Sequence, residues 1–238
     1  MQKQDIKTIG VERYNRGLMF KTIRRGVGLG LLICSVGLLV WASLPSRVQM
    51  MEQVILPAEM KLPNDEQPAK AVLETRQVRL EWPESMRIGD SAEIRLIFES
   101  VGEEKQDANS DIELSNVYNQ YNLMVEGRFE VSGLKVNPAN PLRESLLAGE
   151  IISYDWNVTA ENAGIYPGTV WLSLRFLPLE GDVPSQAPIF VTKVDIKATS
   201  LWGISGPIAR LLGGLGVALG IIMLFDVMIG LLHRLIKT

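Results

Sequence analysis

The 238-residue chain holds one cysteine, Cys34, and one histidine, His233, so few of its side chains could carry nucleophilic, redox or transition-metal chemistry. Any Ser-His-Asp or Cys-His arrangement would have to pass through His233. Cys34 cannot close an internal disulfide, and one histidine cannot build a His-rich zinc or copper site. Hard oxygen groups are better represented. Asp107, Asn109 and Asp111 alternate as at the start of a helix–loop–helix calcium loop. The sixth position of such a loop, a glycine, is Ile112, and the twelfth, a bidentate glutamate, is Tyr118, so calcium is not expected. The pairs Glu103-Glu104 and Asp107 with Asp111 sit in a charge-rich stretch and read as a solvated face. Met50, Met51 and Met60 could offer thioethers to Cu(I), yet no histidine or cysteine stands near them, and they read as packing residues. The expectation is a protein that is not an enzyme and uses no metal or cofactor.

Two apolar runs set the positions of everything else. The first, residues 26–44, has nineteen residues without a charge, flanked by Arg24 and Arg25 on one side and by Trp41 and Arg47 on the other. As a helix it reaches roughly 28 Å, close to a hydrocarbon core of about 30 Å. A cleavable signal peptide is the alternative, with Val40-Trp41-Ala42 as a loose cleavage site, although its basic region would be 25 residues long. The bulky Ile33 before Cys34 excludes a lipoprotein signal. The second run, residues 207–232, begins near Arg210 and closes on His233, Arg234 and Lys237. Arg210 is placed to snorkel to one face.

Glycines in these runs resemble phosphate loops only superficially, because no Lys-Ser/Thr follows them. In lipid, small residues four apart let helices approach closely. Gly26 with Gly30, Ala209 with Gly213, and Gly216 with Gly220 have that spacing and are expected to pack the two helices together or against other subunits. Asp226 lies seven residues before His233, roughly 10 Å inside the second span. A carboxylate there needs a partner, and Arg25 at the matching end of the first span is the candidate for an intramembrane ion pair. If the span ends near residue 226, the carboxylate is merely interfacial.

Flanking charge sets the orientation. Residues 1–25 are basic, whereas residues 45–200 carry 14 basic and 24 acidic residues, a net of −10. The positive-inside rule then puts both termini in the cytoplasm and residues 45–200 outside. A net charge of −3 over the whole chain offers no basic footprint for nucleic acid. Within the outer segment, residues 45–74 contain four prolines and no sustained period, and read as a stalk. Residues 75–200 alternate with period two, as in Val78-Leu80-Trp82, Ile94-Leu96-Phe98, Ile152-Tyr154-Trp156-Val158 and Val170-Leu172-Leu174-Phe176. Turn residues separate these stretches, and the pattern predicts about seven strands in an antiparallel sandwich.

Asn162-Ala163-Gly164-Ile165-Tyr166-Pro167-Gly168 precedes one strand, and Trp156 sits on the strand before it. This resembles the tyrosine corner of immunoglobulin-like domains, as found in bacterial surface modules of that sandwich type. The resemblance implies a β-sandwich with Tyr166 as the corner residue and Trp156 in the core. Gly168 stands where antibody domains carry a cysteine, so that family's disulfide is absent.

The expected organisation is therefore a basic cytoplasmic segment (1–25), a transmembrane helix (26–44), a stalk (45–74), an extracytoplasmic immunoglobulin-like sandwich (75–200), a second transmembrane helix (207–232) and a basic cytoplasmic tail (233–238). The expected role is an accessory or scaffolding subunit of a membrane complex, with the bilayer and other membrane subunits as partners. Neither nucleic acid nor a small-molecule ligand is expected. A cell-surface adhesion or receptor module, binding polysaccharide or peptide through aromatics such as Tyr118, Tyr121 and Trp171, is the alternative.

Overall fold

The computed structural model describes residues 5–56, 74–101, 121–179 and 184–235, with the backbone alone over 5–21 and 226–235. The chain forms two compact units. One joins residues 1–45 with 204–238, and the other is residues 46–203.

The first unit is a pair of helices, α1 (Asp5–Ser43) and α2 (Gly206–Leu235). Helix α1 runs without a break through both the basic segment and the first apolar run, since no proline or β-turn signal interrupts residues 5–43. At α2 the first turn closes with the Ala209 N–H donating to the Ser205 carbonyl at 2.9 Å, and Pro207 sits in that turn, where a missing donor is harmless. Residues 22–43 of α1 and 206–225 of α2 are each long and apolar enough to cross a membrane.

The second unit is a sandwich of two five-stranded sheets. Its strands are β1 (Val48–Ile55), β2 (Arg76–Pro83), β3 (Ser85–Arg87), β4 (Ser91–Ser100) and β5 (Tyr121–Val131). They continue with β6 (Leu134–Asn137), β7 (Leu142–Ser145), β8 (Ile152–Ala160), β9 (Gly164–Pro178) and β10 (Ser185–Thr199). One sheet has the order β1-β2-β4-β8-β6 and the other β3-β10-β9-β5-β7. Stripped of its edges, the first is the A-B-E-D sheet of an immunoglobulin-like domain (β2-β4-β8-β6), and the second its G-F-C sheet (β10-β9-β5). Strand β3 follows β2 across to the second sheet and pairs in parallel with β10, from Ser85↔Lys197 to Arg87↔Thr199.

Period-two alternation fills the space between the sheets. Leu80, Leu96, Tyr154 and Trp156 from one side meet Val125, Phe129, Leu172 and Leu174 from the other, all at most 5% exposed. Gly127, in mid-strand, would read as a break, yet β5 continues through it. A Cβ there would collide with the Tyr154 ring, so the glycine is what lets that ring lie flat against the backbone.

The structure corrects the stalk. Residues 48–55 are not a linker: they form β1, paired antiparallel with β2 from Val48↔Pro83 to Ile55↔Arg76. Backbone pairing on the open edge of β2 holds the segment, and Ile55 is fully buried at its end. The inward positions before it are Gln49, Met51 and Gln53, and these two glutamines hide the alternation that marks the other strands.

Candidate interaction surfaces

The helix pair is zipped by small residues. On α1, Gly28, Ser35 and Ala42 recur every seven residues and are buried. On α2, Ala209, Gly213, Gly216 and Gly220 are buried opposite them. A Cβ at Gly216 would collide with the Ser35 Oγ, one at Gly213 would come within 2.6 Å of Leu39 Cγ, and one at Gly220 within 3.0 Å of Leu32 Cβ. Arg210 closes the seam by donating to the Ala42 carbonyl at 3.1 Å, a cation on the negative end of α1. These meetings descend α1 as they ascend α2, so the helices pack antiparallel. Gly26 and Gly30 point into open space, with nothing within 4 Å. Two residues rotate a helical position by about 200°, so the α1 glycine that meets α2 is Gly28, where an added Cβ would come within 2.9 Å of Met223 Cβ. The outer faces, Val27, Ile33 and Val40 on α1 and Leu211, Leu215 and Ile222 on α2, stay exposed. Arg25 is exposed, while the Asp226 side chain, and with it the Asp226–Arg25 pair, lies outside the described residues.

In the sandwich, the Tyr166 hydroxyl donates to the Asn162 carbonyl at 2.8 Å, which is the hydrogen bond of a tyrosine corner. Gly133, at φ +85°, sits against that ring. Trp156 is 1% exposed and tilts against Phe129 and Tyr154 at centroid distances of 6.2 and 6.1 Å. Gly168 occupies the antibody cysteine position, and there Phe129 fills the space a Cβ would need, 2.7 Å away. Both motif residues hold the fold.

The outer face of the first sheet is laced with charge. Arg79 donates to Glu52 at 2.8 Å and lies 3.2 Å from Glu99, while Arg95 bridges Glu93 and Asp155 at 2.6 and 2.8 Å. On the second sheet, Glu126 takes Arg143 at 2.6 Å and Arg175 at 3.1 Å. Burial works to raise that carboxyl, and the two guanidinium groups outweigh it, so Glu126 titrates below the ordinary range. Burial pushes the Tyr154 phenol up, and its hydroxyl is held by the Val125 carbonyl at 2.7 Å. Neither arrangement resembles an acid–base pair, because each group is satisfied by structural partners.

The carboxylates at 103–113 and Tyr118 lie outside the described residues. Among the described residues, no three His, Cys, Asp or Glu gather into a metal-binding cluster. Tyr121 packs edge-on to Phe176 at 6.0 Å. Trp171 is 37% exposed beside Val191 and Arg128 in register. A shallow groove along β5 and β6 brings Arg128, Glu130, Phe129 and Pro167 together, with its two charged groups paired to each other.

The surface missed by sequence reading is β1. Its residues from Val48 to Val54 are exposed throughout, and its outward side carries Val48, Met50 and Val54, at 64%, 60% and 51% exposure. The local signal was a proline-free run, residues 46–56, between Pro45 and Pro57.

No protein-family model matches the chain, and no curated protein does. Solved structures overlap it only weakly, as three of them show. The first is the complex of Zinc 2-glycoprotein with prolactin inducible protein from human seminal plasma, at 13% identity, over 50% of this chain and 89% of that chain, with a TM-score of 0.33. The second is PapD-like domain 7 of human CEP192, at 10% identity, over 59% of this chain and 96% of that one, with a TM-score of 0.31. The third is AggA, the major subunit of aggregative adherence fimbriae type I from Escherichia coli, at 6% identity, over 66% of this chain and 98% of that one, with a TM-score of 0.28. Overlaps of this size carry no argument about function, and the immunoglobulin-like fold rests on the strand order itself.

Proposed function

We propose that the chain is a non-enzymatic, two-pass membrane protein whose sandwich faces away from the cytoplasm and serves as a protein-interaction subunit of a membrane assembly. The observation that carries this reading is the helix pair. Its seam is built from Gly28, Ser35, Ala42, Ala209, Gly213, Gly216 and Gly220, while large apolar side chains such as Val27, Ile33, Val40, Leu211, Leu215 and Ile222 stay exposed on its outer faces, the arrangement lipid favours and water does not. Trp41 near the end of α1 and Trp202, 90% exposed and four residues before α2, are residues suited to an interfacial belt. Seven basic residues against two acidic ones in 1–25 support an inward N-terminus.

Topology is directly testable because Cys34 is the sole cysteine. In a Cys34→Ala background, Ile165→Cys, at a site 69% exposed, should react with an impermeant maleimide on intact cells. Lys3→Cys should react only after permeabilisation. The opposite pattern would refute the topology. Native electrophoresis in mild detergent then tests the role: a stoichiometric complex with another membrane protein supports the subunit reading. An isolated chain that retains cell-wall polysaccharide supports adhesion instead, with Trp171 as the exposed aromatic.

A further inference from the structure

We infer that β1 is a homodimer edge, on which a second copy of this chain docks antiparallel, β1 to β1, to make one continuous ten-stranded sheet. The inference rests on the membrane-subunit reading for the proximity of the two copies.

Sheet ends normally block such pairing, and among the described residues three of the four ends do so by brevity: β3, β6 and β7 have three, four and four residues. Strand β1 has eight, with no proline, lysine or arginine, and pairs with β2 without a register shift. Three of the four residues on its outward side, Val48, Met50 and Val54, are apolar where a solvated edge would be charged. Its one charge, Glu52, is neutralised by Arg79 on the neighbouring strand. Met51 is further steadied from the other sheet, its sulfur accepting from the Thr192 hydroxyl at 3.6 Å.

The occupant follows from the sequence of the edge. Residues 48–54 read Val-Gln-Met-Met-Glu-Gln-Val, which is nearly the same in reverse. A two-fold axis through Met51, normal to the sheet, sets Val48 opposite Val54 of the second copy, Gln49 opposite Gln53, and Met51 opposite Met51. Apolar meets apolar and amide meets amide, and each side chain meets a partner on its own face. Glu52 falls opposite Met50, so the two carboxylates avoid each other. This self-matching is what an isologous interface requires, and an unrelated strand has no reason to supply it. The two sandwiches are each acidic, but at physiological salt repulsion between their distant charges fades over about 8 Å. A strand pair this short covers less than the roughly 800 Å² per partner of a standard interface, and confinement to one bilayer supplies the missing local concentration.

The register makes the test sharp. Full-length protein lacking Cys34 (Cys34→Ser) is oxidised with copper-phenanthroline in isolated membranes, which works on either side of the bilayer. Met51→Cys places two sulfurs directly opposite each other, within disulfide reach, whereas the two Val54→Cys sulfurs lie about 20 Å apart along the strands. Met51→Cys should give a covalent dimer at least about ten-fold more abundantly than Val54→Cys, and Val48→Cys with Val54→Cys in one chain should restore it. Met51 is 37% exposed, so the cysteine leaves the core untouched. On native gels Met51→Lys, facing its own copy, should convert dimer to monomer. Equal crosslinking at 51 and 54, no dimer from Met51→Cys, or a Met51→Cys disulfide to a different protein would each overturn the inference. If the maleimide pattern holds while these fail, the dimer edge falls and the membrane reading stands. If the crosslinks form as expected while the maleimide pattern fails, the dimer edge stands and the topology falls.

Discussion

Replacing Arg76 by methionine should unfold the sandwich at a markedly lower temperature. Arg76 is 1% exposed. Its guanidinium donates to the Glu150 carbonyl at 2.8 Å and the Leu147 carbonyl at 2.8 Å, contacts the Glu74 carboxylate, and lies 5.0 Å over the Phe98 ring. Glu74 in turn accepts the Gly149 N–H at 2.9 Å and the Ser100 hydroxyl at 3.0 Å. One cation therefore fastens the turn before β8 to the start of β2. Methionine keeps much of the volume but orphans two carbonyls, each costing about 1–3 kcal/mol, and leaves a partly buried carboxylate unpaired. The expected loss is about 3–5 kcal/mol. At about 2–4 °C per kcal/mol for a unit of this size, the melting temperature should fall by roughly 6–20 °C. The assay is thermal unfolding of the full chain in detergent, followed by the loss of β-sheet circular dichroism. Arg76→Lys should fall between the two, since an ammonium cannot span both carbonyls as a planar fork does. A shift under about 2 °C for Arg76→Met, with wild-type cooperativity, would refute the reasoning and show that the latch is redundant.

Three further outcomes are expected. Tyr166→Phe removes the corner hydrogen bond and should cost about 1 kcal/mol, read as a small drop in melting temperature with an unchanged native spectrum. Glu126→Gln should destabilise by about 1 kcal/mol at pH 7. Because the folded carboxyl titrates below its unfolded value, that stabilisation is fully present above about pH 4.3 and disappears as pH falls through the lower folded value, so the two melting curves should converge in acid. In a Cys34→Ser background, Ser35→Cys with Gly216→Cys should form an intrachain disulfide that holds the two helices together after proteolysis of the intervening sandwich. Gly30→Cys with Gly216→Cys should not, since Gly30 has nothing within 4 Å.

Where a physical rule is local, the sequence carried it. Alternation from Val78 to Phe176 depends only on which face each residue presents, and two apolar runs reach bilayer length by count alone. The tyrosine corner was legible because its hydrogen bond spans four residues, Asn162 to Tyr166. Tertiary structure decided what depends on distant neighbours. Helix rotation chose Gly28 over Gly26 and Gly30, since spacing marks a possible seam but only the facing helix selects one. Arg76 looked like any surface-strand arginine until the turn at 147–150 closed over it. Strand β1 read as a stalk because its inward side carries glutamines, and what places it in the sheet is the open edge of β2, a strand separated from it by the twenty residues between Ile55 and Arg76. Backbone hydrogen bonding is blind to side-chain pattern, so an edge strand can be recruited with little mark on its own sequence.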